Sequence, residues 1–270
     1  MTGRAPVIDF QSPPGLIIRT LAQKAAGERG FRVELGERGP WLGFASTTAP
    51  GEIWIAGSPP AGPFGLSVTH AGVAADLAAN FGGGALAGPG VTTIQLADDE
   101  ALTRAVDRAW KLAMSLPPTP LAAFEAAIAD LPRTTEAERW AVQRIGQDKF
   151  RDALMLYWSG RCPLTRITDP ALLRASHIIP WADCETDAER LDVNNGLLLS
   201  SLWDAAFDAH MVSFDDDGRA VASPVLTAEA RDALGFTIVR PIETLTTGHR
   251  ERLAAHRERT LLSRNGASPA

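Results

Sequence analysis

Hydrophobic and polar positions alternate in two different ways along the first third of the chain. Apolar residues at helical spacing predict a helix over residues 14–27. Short apolar runs separated by turn residues follow it, and they predict an antiparallel meander of strands. The apolar helical set is Leu16, Ile17, Leu21 and Ala25, and the strand-like runs cover residues 31–35, 40–44, 52–56, 64–68 and 92–96.

Helical patterns dominate the next part of the chain. Thr134, Thr135 and Glu136 are suited to cap a long helix that runs to about Trp158. Further helices are expected at residues 73–79, 98–114 and 120–128. Glycine-rich loops are expected at 82–84 and 87–90, and His70 is expected to be a capping or turn residue.

The region from residue 172 to residue 219 has the pattern strand, loop, strand, helix and hairpin. The first strand is expected to end at Pro180, residues 181–192 to form a loop, and Asn195-Gly196 to form a turn before the second strand. Ser200 or Ser201 can cap the helix that follows. In that helix the inward residues are expected to be Leu202, Ala206 and Phe207, while Asp204 and Asp208 share another face.

The side chains of this region suit the hydrolysis of a phosphodiester. A divalent ion can neutralise charge on the phosphate and stabilise the leaving oxygen. A carboxylate such as Asp204 is a hard oxygen ligand that suits Mg²⁺ or Mn²⁺. A neutral histidine such as His177 can take a proton from water near pH 7. One His, one Asn and one or two Asp are therefore enough for a site with one metal ion.

The ordered set of residues resembles the HNH nuclease superfamily, which has the ββα-metal fold, and within it a bacterial restriction-type subfamily. The resemblance covers about residues 143–226, including a lead-in at 150–165. The matching residues are Ser176-His177-Ile178, Pro180-Trp181, Glu189-Arg190-Leu191-Asp192, Asn195-Gly196-Leu197-Leu198-Leu199, Asp204, Phe207-Asp208 and Ser213-Phe214.

The resemblance implies a role for each of the central residues. His177 would be the general base, Asn195 would brace the loop that holds the imidazole, and Asp204 would bind the metal ion. Ser176 stands where many relatives carry an acidic residue or His, and His210 stands where Gly is common. Ser176, Asp208 and His210 are candidates for the surroundings of the metal ion. Without the pattern, a histidine at a strand end is more often structural, and Asp204 would be a solvated helix residue.

The fold class expected from these patterns is α+β, with an N-terminal sheet-and-helix module before a C-terminal ββα-metal nuclease domain. The predicted ranges are 1–115 for DNA recognition or regulation, 116–142 for a helical connector, 143–230 for the HNH nuclease domain and 231–270 for a basic C-terminal segment. That last segment is either a basic helix against DNA or a frayed tail. No family motif is visible in residues 1–115, so their role is inferred from position alone.

Charge changes this picture locally. The net charge of −6 argues against a generic DNA-coating protein. Between residues 133 and 174, however, eight basic residues outnumber five acidic ones, and they could meet phosphates or form a solvated helix face. The candidates for contacts with the DNA backbone are Arg144, Lys149, Arg151, Arg161, Arg166 and Arg174.

Aromatic residues of the N-terminal module are open to two interpretations. They could line a pocket for a flipped base, or they could pack in the core, and core packing is favoured. The residues concerned are Trp41, Phe44, Trp54 and Phe64.

Composition restricts the cellular setting. No apolar run reaches the ~18 residues that span a bilayer, and the N-terminus lacks the apolar core of a signal peptide. Two cysteines, Cys162 and Cys184, are too few for a disulfide scaffold. We therefore expect a cytoplasmic protein with no membrane partner. The resemblance to HNH nucleases implies DNA as the partner, and a homodimer stays an open alternative.

The function expected from the sequence is that of a Mg²⁺-dependent endodeoxyribonuclease in restriction or defence, with Mn²⁺ or another divalent ion as a substitute. Target choice, including choice of modified DNA, would belong to the N-terminal module. Three alternatives stay open: a nuclease toxin, a ligand-regulated nuclease, and a non-catalytic DNA-binding protein on an HNH scaffold.

Overall fold

The chain forms two compact units, Met1–Met114 and Ser115–Ala270. The computed structural model describes residues 10–82, 86–132 and 134–262. The predicted glycine-rich loop at 83–84, the basic residue Arg133 and the basic residue Arg264 lie outside the described residues. No helix in the described ranges has the length and apolar character needed to cross a membrane.

The first unit is built on an antiparallel sheet, as the sequence predicts. Five strands pair in chain order, each antiparallel to the next. The strands are β1 (Val33–Arg38), β2 (Trp41–Ala45), β3 (Glu52–Gly57), β4 (Phe64–Val68) and β5 (Thr92–Leu96). The helices of this unit are α1 (Leu16–Glu28), α2 (Ala71–Phe81) and α3 (Asp99–Ser115).

Strand register separates the four aromatic residues of this sheet. Phe44 and Phe64 share one face, where the Phe64 ring and the Ile18 side chain of α1 both lie next to Gly57. Trp41 and Trp54 lie on the opposite face, and Arg38 sits 4.2 Å above the Trp54 ring. All four aromatic side chains are buried. A single pocket lined by all four is therefore wrong, and each packs in the core.

Helix α1 forms close to the predicted range, and of the apolar set named from the sequence only Ala25 is buried. Its buried residues are Ile18, Ala22, Ala25 and Ala26. Leu16 is 80 % exposed and Ile17 is 56 % exposed. Both sets have helical spacing, and the buried one consists of Ile18 and three alanines. His70 caps α2, because its Nδ1 accepts a hydrogen bond from the Val73 amide at 3.3 Å.

The second unit begins with two helices, α4 (Thr119–Ile128) and α5 (Glu136–Tyr157). Thr135 and Glu138 form a capping box at the start of α5: the Thr135 hydroxyl accepts from the Glu138 amide, and the Glu138 carboxylate accepts from the Thr135 amide. Helix α5 packs against the strands that follow.

The strand, strand and helix expected after residue 172 are present. Strand β6 (Leu173–His177) pairs antiparallel with β7 (Gly196–Ser200), and α7 (Ser201–Asp208) follows at once. The first strand ends at His177, before the expected end at Pro180, and a short helix, α6 (Asp187–Arg190), interrupts the predicted loop. Gly196 is extended at φ −155°, so Asn195-Gly196 is not a reverse turn. Asn195 is instead the last residue of a 3₁₀ turn, and the Asn195 side chain points inward.

Helix α7 is turned relative to the prediction. Trp203 and Phe207 are buried, whereas Leu202 is 52 % exposed. The Trp203 indole N–H donates to the carbonyl of Leu234 at 3.1 Å. That carbonyl ends α8 (Ala228–Leu234), so a partner distant in sequence decides the inward face of α7.

A hairpin and a long helix complete the second unit. Strands β8 (Val212–Phe214) and β9 (Ala220–Ala222) form the expected hairpin. Helix α9 (Thr247–Leu262) packs on β8 and buries His249, Leu253, His256 and Thr260. The frayed-tail interpretation is therefore wrong for the described part of this segment.

Candidate active site

His177 stands at the end of β6 with its imidazole held on two sides. Its ring stacks on Phe150 of α5, with centroids 3.8 Å apart, and meets the edge of Trp181. Its Nε2 lies 2.9 Å from the carbonyl oxygen of Arg190. A carbonyl only accepts, so Nε2 carries the proton and Nδ1 keeps its lone pair. Burial lowers the pKa of His177, which keeps the ring neutral near pH 7.

Asn195 fastens the loop between the two strands. It is fully buried, and its Oδ1 accepts from the Ile179 amide at 2.8 Å. Its Nδ2 donates to the Ile179 carbonyl at 3.2 Å and to the Glu189 carbonyl at 3.4 Å. Glu189 precedes Arg190, whose carbonyl holds His177. Asn195 thus connects both ends of the loop to the backbone that orients the imidazole.

Arg190 is a structural member of the site that sequence reasoning did not single out. Its guanidinium donates to the Trp181 carbonyl at 3.2 Å and to the Asp187 carboxylate at 3.0 Å. These hydrogen bonds close the loop around Arg190, and the carbonyl of Arg190 accepts the hydrogen bond from Nε2 of His177. Its place in the Glu-Arg-Leu-Asp motif is the only sequence signal for it.

Two carboxylates lie on one face of α7. Asp204 Oδ1 accepts a hydrogen bond from the Ser176 hydroxyl at 2.6 Å. Asp208 lies one helical turn later. Burial, and then the negative charge of Asp204, raise the pKa of Asp208 to about 6. The Asp204 carboxylate is therefore close enough to disfavour the negative charge of Asp208.

A cleft of about 340 Å³ gathers most of these groups. Asp204 does not line it, but reaches it through its hydrogen bond to Ser176. The lining side chains that matter chemically are Ser176, His177, Trp181, Asp208, His210 and His256.

His256 comes to the cleft from α9. Its Nδ1 lies 3.0 Å from the Ser213 hydroxyl and its Nε2 3.2 Å from the Phe207 carbonyl. Its ring stacks on Phe207 and lies 4.5 Å from the ring of His210. Burial lowers the pKa of His256 to about 4 and also lowers that of His210. Sequence reasoning missed His256, because nothing near it in the chain links it to the nuclease motif.

The carboxylates suit a hard divalent ion. Within the described residues, no three His, Cys, Asp or Glu side chains stand together as a ready ligand set. Mg²⁺ commonly binds one or two carboxylates and completes its shell with water and substrate phosphate. Asp204 and Asp208 fit that requirement, since a cation beside them would offset the effect of the Asp204 charge on the pKa of Asp208.

The six candidate DNA contacts divide into two groups. Arg151 donates to the carbonyls of Leu173 and Pro170, both at 2.8 Å, and Arg174 donates to nearby carbonyls. These two guanidinium groups hold the lead-in to β6. The side chains of the other four have neither a hydrogen bond nor an ion pair with any described residue: Arg144, Lys149, Arg161 and Arg166. Contact with DNA stays a prediction for all six.

The comparison with protein families finds a match in the second unit. Residues 162–215 match the family model HNH_2, described as HNH endonuclease. This segment of the second unit is similar to HNH endonucleases. The match implies a nuclease that acts on DNA, while the restriction-type subfamily stays a prediction. His177, Asn195, Asp204 and Asp208 lie inside the matched residues, whereas His256 lies outside them. No curated protein matches the chain.

Proposed function

We propose that the protein is a metal-dependent endonuclease that hydrolyses DNA in restriction or defence. The observation that carries this proposal is the state of His177. Its Nε2–H is committed to the Arg190 carbonyl, and its neutral ring lines a cleft shared with Asp208. Nδ1 is therefore the atom that can accept a proton from an attacking water.

His177 would act as the general base of the reaction. Nδ1 takes the proton of a water molecule while the water oxygen attacks phosphorus and the bond to the leaving oxygen breaks. The Arg190 carbonyl then stabilises the imidazolium through its hydrogen bond from Nε2. Asn195 would serve this step by holding the loop that carries that carbonyl.

Asp204 and Asp208 would hold the divalent ion, Mg²⁺ or Mn²⁺. When bound, the ion would neutralise phosphate charge and stabilise the leaving oxygen. Ser176 holds Oδ1 of Asp204, which leaves Oδ2 for the ion. Asp208, expected from sequence to belong to the surroundings, is placed here beside Asp204 as a ligand, because it lines the cleft with His177.

The division of labour along the chain is part of the same proposal. Residues 1–115 would choose the DNA target, residues 116–142 would connect the two domains, and residues 143–230 would cut the DNA. The described part of residues 231–270 supplies His256 to the cleft, so we assign this segment to cutting as well.

Plasmid cleavage by the full chain tests the proposal. Methylated and unmethylated plasmids are incubated with Mg²⁺, with Mn²⁺ and with EDTA, and His177→Ala is the matched control. We expect nicked or linear DNA only with a metal ion and with the wild-type chain. Cleavage that persists in EDTA, or no cleavage of any plasmid, would reject it.

A further inference from the structure

His210 occupies a backbone position that favours glycine. The His210 amide donates to the Phe207 carbonyl at 2.9 Å, and the Met211 amide donates to the Ala206 carbonyl at 2.8 Å. These two bonds form a Schellman motif at the end of α7, with His210 at its left-handed position, φ +53°. A side chain with a Cβ costs free energy there, whereas Gly does not. The helix end alone therefore does not explain why His, rather than Gly, stands at this position.

The His210 ring is also short of partners. Its Nδ1 is buried without a hydrogen bond to any described residue. The neighbouring His256 differs, because both of its nitrogens are bonded to the HNH domain. A buried donor without a partner is costly, so the proton of His210 belongs on Nε2, where a molecule entering the cleft can accept it.

Few N–H groups in the cleft are free to meet a phosphate. The Nε2–H of His177 is used on the Arg190 carbonyl, and both nitrogens of His256 are occupied. Of the described residues that line the cleft, none is Lys or Arg. Among the side chains of the described lining residues, two N–H groups are left, the indole of Trp181 and the imidazole of His210.

We propose that His210 is a further catalytic residue whose Nε2–H donates to a nonbridging oxygen of the phosphodiester at the cleavage site. The packed ring of His256, 4.5 Å away, holds the imidazole in place. A preorganised donor aimed at a phosphate oxygen stabilises the charge that develops there during attack. The inference rests on the proposed nuclease function and adds to it the group that binds the phosphate.

Two substitutions in the full chain separate this role from a structural one. His210→Gly removes the imidazole and relieves the left-handed backbone, so the melting temperature should stay at or above that of the wild type. The value of kcat/KM on a short duplex should fall by ~10- to 100-fold, as expected for the loss of a hydrogen bond to a charged group. His210→Asn tolerates the same backbone and keeps an N–H donor, so it should retain more of the activity.

Sulfur substitution of the nonbridging oxygens tests the contact itself. In the wild type, sulfur at the oxygen that His210 contacts should slow cleavage, and in His210→Gly this penalty should shrink for that stereoisomer alone. An unchanged kcat/KM in His210→Gly, or sulfur penalties equal to those of the wild type at both positions, would overturn the role of His210 while leaving the nuclease in place. A wild-type chain that cuts no DNA would overturn both.

Discussion

Replacing His177 by Ala separates catalysis from folding. The substitution removes Nδ1, the proton acceptor of the proposed reaction, and leaves Asp204 and Asp208 untouched. Loss of a general base commonly lowers the rate by ~10²–10⁴. We expect a loss in this range for the cleavage step, together with unchanged binding of divalent ions.

The folding cost follows from the contacts of the ring. His177→Ala loses the 2.9 Å hydrogen bond to the Arg190 carbonyl, worth about 1 kcal/mol. It also loses the stack on Phe150, worth about 0.5–1.5 kcal/mol beyond the area it covers. These two contacts together contribute about 2 kcal/mol, which is small beside a stability of about 5–15 kcal/mol, so the variant should remain folded.

The assay is single-turnover cleavage of plasmid by the full chain, with a melting curve for each variant. Added imidazole should restore part of the rate of His177→Ala, because it can occupy the space of the lost ring. His70→Ala is the matched control: it removes a helix cap in the first unit at a cost of about 1 kcal/mol and should leave the cutting rate unchanged. A folded His177→Ala protein that cuts within tenfold of the wild type would refute the assignment.

Three further predictions concern the metal ion, the loop and the unit boundary. Asp204→Ala should abolish cleavage and divalent-ion binding together. In the wild type, ion affinity measured by calorimetry should weaken as the pH falls below about 6, because Asp208 then takes up a proton that the ion must displace. Asn195→Ala should lower the free energy of unfolding in urea by about 2–4 kcal/mol, since it leaves buried loop groups without partners. A fragment of residues 115–270 should fold and nick DNA without site preference, whereas one starting at 131 should be less stable because it lacks α4.

The local pattern of apolar and polar residues was sufficient to predict the structure where neighbours in sequence are also neighbours in space. The meander of the first unit was predicted correctly, because each strand pairs with the next along the chain. His177, Asn195 and Asp204 likewise lie within one continuous segment that forms a strand, a loop, a second strand and a helix. Such a segment carries its own signals, namely apolar runs and a small set of polar residues between them.

The sequence pattern gave a wrong prediction where a residue distant in the chain decides which face of an element is buried. Leu202 was expected to point inward, yet α7 turns Trp203 toward the Leu234 carbonyl, 31 residues later. Asn195-Gly196 was expected to be a turn, because the dipeptide is frequent in turns of surface hairpins. Here the Asn195 side chain is buried among the carbonyls of its own loop, and Gly196 continues into a strand.

Helix α9 shows why the cleft extends beyond the residues that match the family. Its sequence is rich in charge, and charge alone favours a helix on DNA or a loose tail. The structure instead buries His256, because Ser213 and the Phe207 carbonyl, both more than 40 residues earlier, satisfy its two nitrogens. The Phe207 carbonyl also receives the amide of His210, so α9 and the end of α7 share one hydrogen-bonded junction. The residues at this junction line the same cleft as His177, and we infer that removing α9 would disturb Asp208 and His210 even though the matched HNH residues remained intact.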